Sequence, residues 1–224
     1  MIGVFDSGVG GICAFREIRR LLPRENIIYL ADRRNAPYGT KSEEEVTALT
    51  KASIKRLKER GAEKILIACC TASSVYEKLD EAERRISLPI IKPAAIKAAS
   101  GRCVLVIATE RTVASGIFAK EIGRLSDARV EEFAAQRLVY LVENGCRDGK
   151  LNAECERELD AVERLVKKLR ADRLILGCTH FSHLEKELFN RCRIRIISPA
   201  REGALALVKT IKASRLEGGR TIYM

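Results

Sequence analysis

Aromatic residues are scarce in this chain: they make up 5% of its 224 residues, and tryptophan is absent. Single-stranded nucleic acid is usually held by aromatic stacking inside a basic groove, so this scarcity argues against such a partner. The 41 basic residues exceed the 30 acidic ones and leave a net charge of +11, but they are scattered among glutamates along stretches such as 51–60 and 163–170. That scatter reads as solvated helix faces, in a basic field that also attracts small acidic substrates. No apolar run is long enough to cross a bilayer, and Met1-Ile2-Gly3 begins no signal-peptide pattern. A cytoplasmic protein with no membrane contact is the expectation. No CxxC pair occurs among the eight cysteines, which are therefore expected to be thiols and not a disulfide framework or a zinc ribbon. The glycine-rich stretch Asp6-Ser7-Gly8-Val9-Gly10-Gly11 is neither a Walker loop nor a GxGxxG turn, so nothing points to a nucleotide.

What the chain does contain is one stretch used twice. Ala62-Glu63-Lys64-Ile65-Leu66-Ile67-Ala68-Cys69 and Ala171-Asp172-Arg173-Leu174-Ile175-Leu176-Gly177-Cys178 match position for position. The likeness continues at the same offset: Ser73, Val75 and Leu79 meet Ser182, Leu184 and Leu188. The last two of each set are four residues apart, the spacing of one helical face. Each unit reads as a buried strand, a cysteine and a helix. At 46% hydrophobic residues the chain can bury a good core, and its length is close to where one domain becomes two. The duplication favours two similar lobes.

The rest of the chain keeps this rhythm. Ile2 to Phe5 predicts a strand running through the glycine-rich turn into a helix near 12–22, and Asn26 to Leu30 a second strand. Ala31 to Gly39 is a loop rich in turn formers. Ser42 followed by Glu45 is a capping box for a helix to about Arg60. The helix after Cys69 is expected to continue to about Arg85, with a strand at Leu88 to Ile91 and a crossover segment from Pro93. Further strands are predicted at Cys103 to Ile107, weakly at 129–133, and at Arg193 to Ile197. Helices are predicted near 113–123, 137–144 and 152–169, and after Pro199. Strands alternating with helices of this length indicate an α/β fold with mainly parallel sheets. The expected division is 1–92 plus 200–224 for the first lobe and 93–199 for the second, with the active site in the cleft between them.

Residues at the carboxyl ends of parallel strands line the ligand crevice, so Cys69 and Cys178 should each stand at the mouth of its own lobe. A helix starting after each cysteine would lower its pKa toward neutrality and make it a usable base. One thiolate and one thiol on opposite sides of a ligand can take a proton from one face and return one to the other. That chemistry is epimerisation without a cofactor.

Gly3-Val4-Phe5-Asp6-Ser7-Gly8-Val9-Gly10-Gly11, Ala31-Asp32 with Pro37-Tyr38-Gly39, Cys69-Cys70-Thr71-Ala72-Ser73, Val106-Ile107-Ala108-Thr109 and Gly177-Cys178-Thr179-His180-Phe181 together resemble the glutamate racemase family, in the wider aspartate/glutamate racemase superfamily. The resemblance covers nearly the whole chain, with the motifs in order. It implies two pseudo-symmetric α/β lobes, Cys69 and Cys178 as the two catalytic acid/bases, and no pyridoxal phosphate or metal. It implies that Asp6 and His180 assist the thiols, and that Glu143, in Leu141-Val142-Glu143-Asn144-Gly145, stands near the histidine. Asp6, Ser7, Tyr38, Gly39, Cys70, Thr71, Thr179 and His180 match positions that hold the amino acid. A homodimer and a supply of D-glutamate for peptidoglycan are further implications.

The departures concern the substrate and not the thiols. The family usually carries asparagine directly after its first catalytic cysteine, where the amide contacts the substrate. Here that position is Cys70, and a thiol is a much weaker hydrogen-bond partner. The chain is shorter than usual around Ile90 to Pro93. Ser182 stands where proline is usual, and Ser198 precedes Pro199 where aspartate is frequent. Racemisation of another acidic amino acid, notably aspartate, is the alternative. Cys178, His180 and His183 also offer a possible zinc set, although no further acidic or cysteine ligand follows at a local spacing. A cysteine hydrolase needs only one nucleophile and leaves the duplication unexplained. Cys13, Cys103, Cys146, Cys155 and Cys192 read as packing thiols.

Overall fold

The computed structural model describes residues 1–211 and 219–224. Its strands are β1 (Ile2–Asp6), β2 (Ile27–Ala31), β3 (Lys64–Ile67), β4 (Ser87–Pro89), β5 (Cys103–Ala108), β6 (Arg129–Ala134), β7 (Arg173–Gly177), β8 (Arg195–Ile197) and β9 (Thr221–Tyr223). They form two sheets in which every pairing is parallel, in the orders β4-β3-β1-β2-β9 and β6-β5-β7-β8. The repeated units supply β3 and β7. Each lies beside a central strand, with Phe5 opposite Ile67 in one sheet and Ala108 opposite Gly177 in the other.

The central strands β1, β3, β5 and β7 are apolar through most of their length because both of their faces are covered. Side chains alternate between faces, so Val4, Leu66, Val104, Val106 and Ile175 meet in one core shared by both sheets. On the outer face of the first sheet, Phe5, Ile65 and Ile67 pack with Val46, Ile54 and Leu57 of the helix Glu43–Glu59. On the outer face of the second, Leu105, Ile107, Leu174 and Leu176 pack with Leu159, Val162 and Val166 of the helix Ala153–Leu169. The shared core also takes in Ala94, Ala95 and Ala98 from the helix Ile91–Ala98 and Ala200, Ala204 and Leu207 from the helix Pro199–Lys209. Small side chains at these points let the helices approach closely.

Ser42 caps the helix Glu43–Glu59 with the expected box: Ser42 Oγ accepts from Glu45 N, and a Glu45 carboxylate oxygen accepts from Ser42 N. The segment after Cys69 differs from expectation. It is not one helix to Arg85 but a helix Cys70–Ser74, a 3-10 turn Tyr76–Lys78 and a separate helix Glu81–Ile86. Asp80 and Glu83 form a second capping box, which starts a new helix there. The expected helix near 113–123 is likewise split, into Glu110–Ala114 and Ile117–Gly123, at Gly116 with φ of 59°. The strand β9 was not anticipated; it covers the free edge of β2. Residues 212–218, within the stretch assigned to the first lobe, lie outside the described residues.

Candidate active site

The carboxyl ends of β1 and β3 in one sheet and of β5, β6 and β7 in the other open on one cavity of about 20 Å3, which contains both Cys69 and Cys178. Space of that size holds about one water molecule, so the two halves of the cleft are closed against each other. Two larger surface hollows, of about 770 Å3 beside His183 and about 780 Å3 beside Arg33 and Arg34, contain neither thiol. Ser7, Tyr38, Gly39, Cys70, Thr71, Glu143, Thr179 and His180 all line the thiol cavity. Asp6 lies behind its wall, fully buried.

Closure depends on two glycines. A Cβ at Gly10 would come within 2.4 Å of Thr179 Oγ1 and 2.6 Å of His180 N. A Cβ at Gly39 would come within 2.8 Å of the Thr109 Cβ and 2.9 Å of Gln136 Oε1. Neither approach leaves room for a side chain. Across the closed cleft Thr179 Oγ1 donates to Asp6 Oδ1 at 3.2 Å. Thr71 Oγ1 lies 3.0 Å from Thr109 Oγ1 and 3.2 Å from Thr112 Oγ1.

The two sulfurs have unlike surroundings. Cys178 Sγ lies 3.4 Å from His180 Nδ1, and His180 Nε2 lies 3.1 Å from Glu143 Oε1. This line of thiol, imidazole and carboxylate holds the ring by both nitrogens. Burial acts to lower the His180 pKa, but the Cys178 sulfur, the Glu143 carboxylate and the Asp6 charge together hold it well above the ordinary histidine value. The hydrogen bond from His180 in turn holds Glu143 below the usual carboxylate range. Cys69 has no imidazole. Its Sγ lies 3.3 Å from Ser7 Oγ and accepts from Ala72 N at 3.5 Å. Burial, reinforced by the Asp6 charge, pushes the Cys69 thiol up to about 12. The expectation of a helix-lowered pKa is therefore overturned at Cys69. The helix that follows has only five residues, and its dipole is too short to offset the loss of water. Burial also raises Asp6 and Cys70.

His183 does not join Cys178 and His180. Its Nδ1 turns to Asp148 Oδ1 at 3.2 Å, and among the described residues no three His, Cys, Asp or Glu side chains converge on a metal position. Gln136 and Val139 also line the cavity and were not anticipated. A signal for them was present: β6 runs parallel beside β5, so its carboxyl end opens on the same mouth. Among the described residues, no lysine or arginine lines the cavity. Two carboxylates entering it would meet hydroxyl, amide and backbone donors, with the His180 ring the lining group whose raised pKa favours a positive charge.

Residues 13–207 match the Asp/Glu/Hydantoin racemase family. A glutamate racemase of Limosilactobacillus reuteri is 36% identical over 207 residues, covering 90% of this chain and 76% of its own length. One from Herpetosiphon aurantiacus is 42% identical, over 82% of this chain and 72% of its own. Among solved structures, a glutamate racemase isoform of Bacillus anthracis superposes with a TM-score of 0.89 at 30% identity, covering 100% of this chain and 87% of that one. The Francisella tularensis glutamate racemase in complex with D-glutamate superposes at 0.90 and 25% identity, over 99% of this chain and 86% of that one. Two parallel sheets closed over a pair of thiols agree with these likenesses, and the chain belongs to the Asp/Glu/Hydantoin racemase family.

Proposed function

We propose that this protein interconverts L- and D-glutamate by a two-thiol proton transfer at Cα. The reading is carried by one observation: the cysteines of the two repeated units line a single cavity, each with a different proton partner. With L-glutamate, the Cys178 sulfur, paired with His180, takes the Cα proton. The C–H electron pair stays on Cα, and the Cys69 thiol delivers its proton to the opposite face. With D-glutamate the roles reverse. One proton leaves carbon and one arrives, so no oxidant, metal or pyridoxal phosphate enters the balance.

In this scheme Glu143 orients His180, and burial together with the Asp6 charge favours the thiol form of Cys69 in the state that receives L-glutamate, while Asp6 also holds Thr179. Ser7, Tyr38, Gly39, Cys70, Thr71, Thr179 and His180 surround the amino acid. Residues 1–92 with 200–224 act as one lobe and 93–199 as the other, and substrate enters when they part. A cytoplasmic homodimer supplying D-glutamate to peptidoglycan synthesis completes the proposal. The test is incubation of metal-free protein with single enantiomers of glutamate and of aspartate in D2O, following Cα deuteration and optical rotation. Exchange of glutamate supports the reading, and exchange of aspartate alone replaces the substrate. No exchange with either removes the racemase assignment. Cys69→Ala and Cys178→Ala should each abolish racemisation while Cys155→Ala retains it; equal losses at all three would mark a stability effect.

A further inference from the structure

The thiol cavity has to accept a second, distal carboxylate, yet among the described residues no cationic Lys or Arg side chain lines it and most of its side-chain donors are already engaged. The Ser7 hydroxyl is on the Cys69 sulfur at 3.3 Å, and Tyr38 Oη donates to Asp32 Oδ2 at 2.7 Å. The Thr71 and Thr109 hydroxyls bond to each other and to Thr112. Thr179 donates to Asp6, and both nitrogens of His180 are in use. Gln136 differs. It begins the helix Gln136–Glu143 directly after β6, and its Oε1 accepts from Glu110 N at 3.4 Å. In this orientation of the amide the two Nε2 hydrogens have no partner among the described residues. The same oxygen is the atom that a Cβ on Gly39 would strike at 2.9 Å, so the amide sits against the closed wall of the cavity.

We propose that Gln136 reads the distal carboxylate of the amino-acid substrate through its Nε2 donors, and that it sets affinity and chain-length preference. The proposal rests on the racemase reading given above and adds a residue to it. A neutral amide suits this task because it donates twice without bringing a buried cation that would need its own partner. It also supplies an amide to a cavity in which position 70, beside the first catalytic thiol, is a cysteine. Gln136 is half-buried, so its replacement leaves the core intact.

The experiment compares wild type, Gln136→Met and Gln136→Glu in racemisation of both glutamate enantiomers and of aspartate, with thermal unfolding as the control for folding. Met keeps the length and removes the donors; Glu keeps the length and adds a repelling charge. A hydrogen bond to an ion is strong enough that Gln136→Met should raise KM for both enantiomers about ten- to a hundredfold. Its kcat should stay within about threefold, because Cα and the thiols are untouched. Gln136→Glu should raise KM further, and both variants should discriminate less between glutamate and aspartate. An active wild type with an unchanged KM in Gln136→Met overturns this proposal alone. A fall in kcat at constant KM overturns it too, since that assigns Gln136 to proton transfer. A wild type that exchanges no acidic amino acid overturns the racemase reading, and this one with it.

Discussion

Replacing Glu143 with Gln isolates the electrostatic part of the line from Cys178 through His180 to Glu143. The carboxylate oxygen lies 3.1 Å from His180 Nε2, on a side chain that is 36% exposed beside a ring only 5% exposed. Two unit charges about 4 Å apart interact by roughly 1 kcal/mol in water and about 4 kcal/mol at a protein surface. Exposure of the carboxylate places this pair near the lower figure. Gln retains a hydrogen bond to the ring, so the expected change is about 1 kcal/mol. Glu143 raises the His180 pKa, so its neutralisation lowers that pKa, and the alkaline limb of the racemisation profile should move to lower pH. The rate should fall about fivefold at the optimum. The two enantiomers have equal free energy, so kcat/KM must fall equally in both directions, and any asymmetry belongs in kcat and KM separately. The assay is polarimetric initial rates from each enantiomer across the pH range. An alkaline limb that stays in place would refute the role given to Glu143. His180 has a raised folded pKa, so its contribution to stability is full below the ordinary histidine value and fades as pH rises through the folded one; over the range in which Glu143 is ionised, the variant should therefore lose less stability as pH rises.

Gly10→Ala places a Cβ within 2.4 Å of Thr179 Oγ1 and 2.6 Å of His180 N, so the cleft cannot close over the substrate. A displacement of about 1 Å is expected to cost about a hundredfold in kcat/KM, with circular dichroism showing a retained fold; near-wild-type activity would mean that closure is not required. Glu132 on β6 has a buried Oε1 with no partner among the described residues, and burial raises its pKa from 4.5 to about 7. The folded state thus holds a proton that the unfolded state has released, and stability falls as pH rises through that interval. Glu132→Gln removes this loss. After discounting for a half-exposed group, it should stabilise the protein by roughly 1 kcal/mol above pH 7, about 2–4 °C in Tm, and by nothing near pH 4. Thermal melts at the two pH values decide it.

The repeat of strand and cysteine made the two sheets and the shared cavity legible before any coordinates, because carboxyl strand ends in parallel sheets face ligands wherever they occur. The Ser42 box was equally legible, being a local pattern with one geometry. The Asp80-Glu83 box is the same signal, but it was overlooked in a stretch with continuous helical spacing, where a long helix was expected. The strand β9 is three residues long and is stabilised by pairing with β2, which no local pattern announces. The state of Cys69 was misjudged because the helix dipole is visible in sequence whereas burial is not, and burial dominates. His183 was offered as a zinc ligand by its spacing from His180, and only the turn carrying Asp148 draws it away.

The placement of β9 also bears on the order in which the protein is made. The second sheet uses only residues 103–197, one unbroken span, whereas the first sheet is completed by residues 221–223 pairing with β2. Until those residues emerge from the ribosome, Ile27 to Tyr29 present an unpaired hydrogen-bonding edge. An apolar bare edge is a template for another chain. The interval between synthesis of β2 and of β9 is thus the period of greatest exposure to misassembly. Chaperone dependence should follow the fate of residues 219–224 more closely than that of the loops around the thiol cavity.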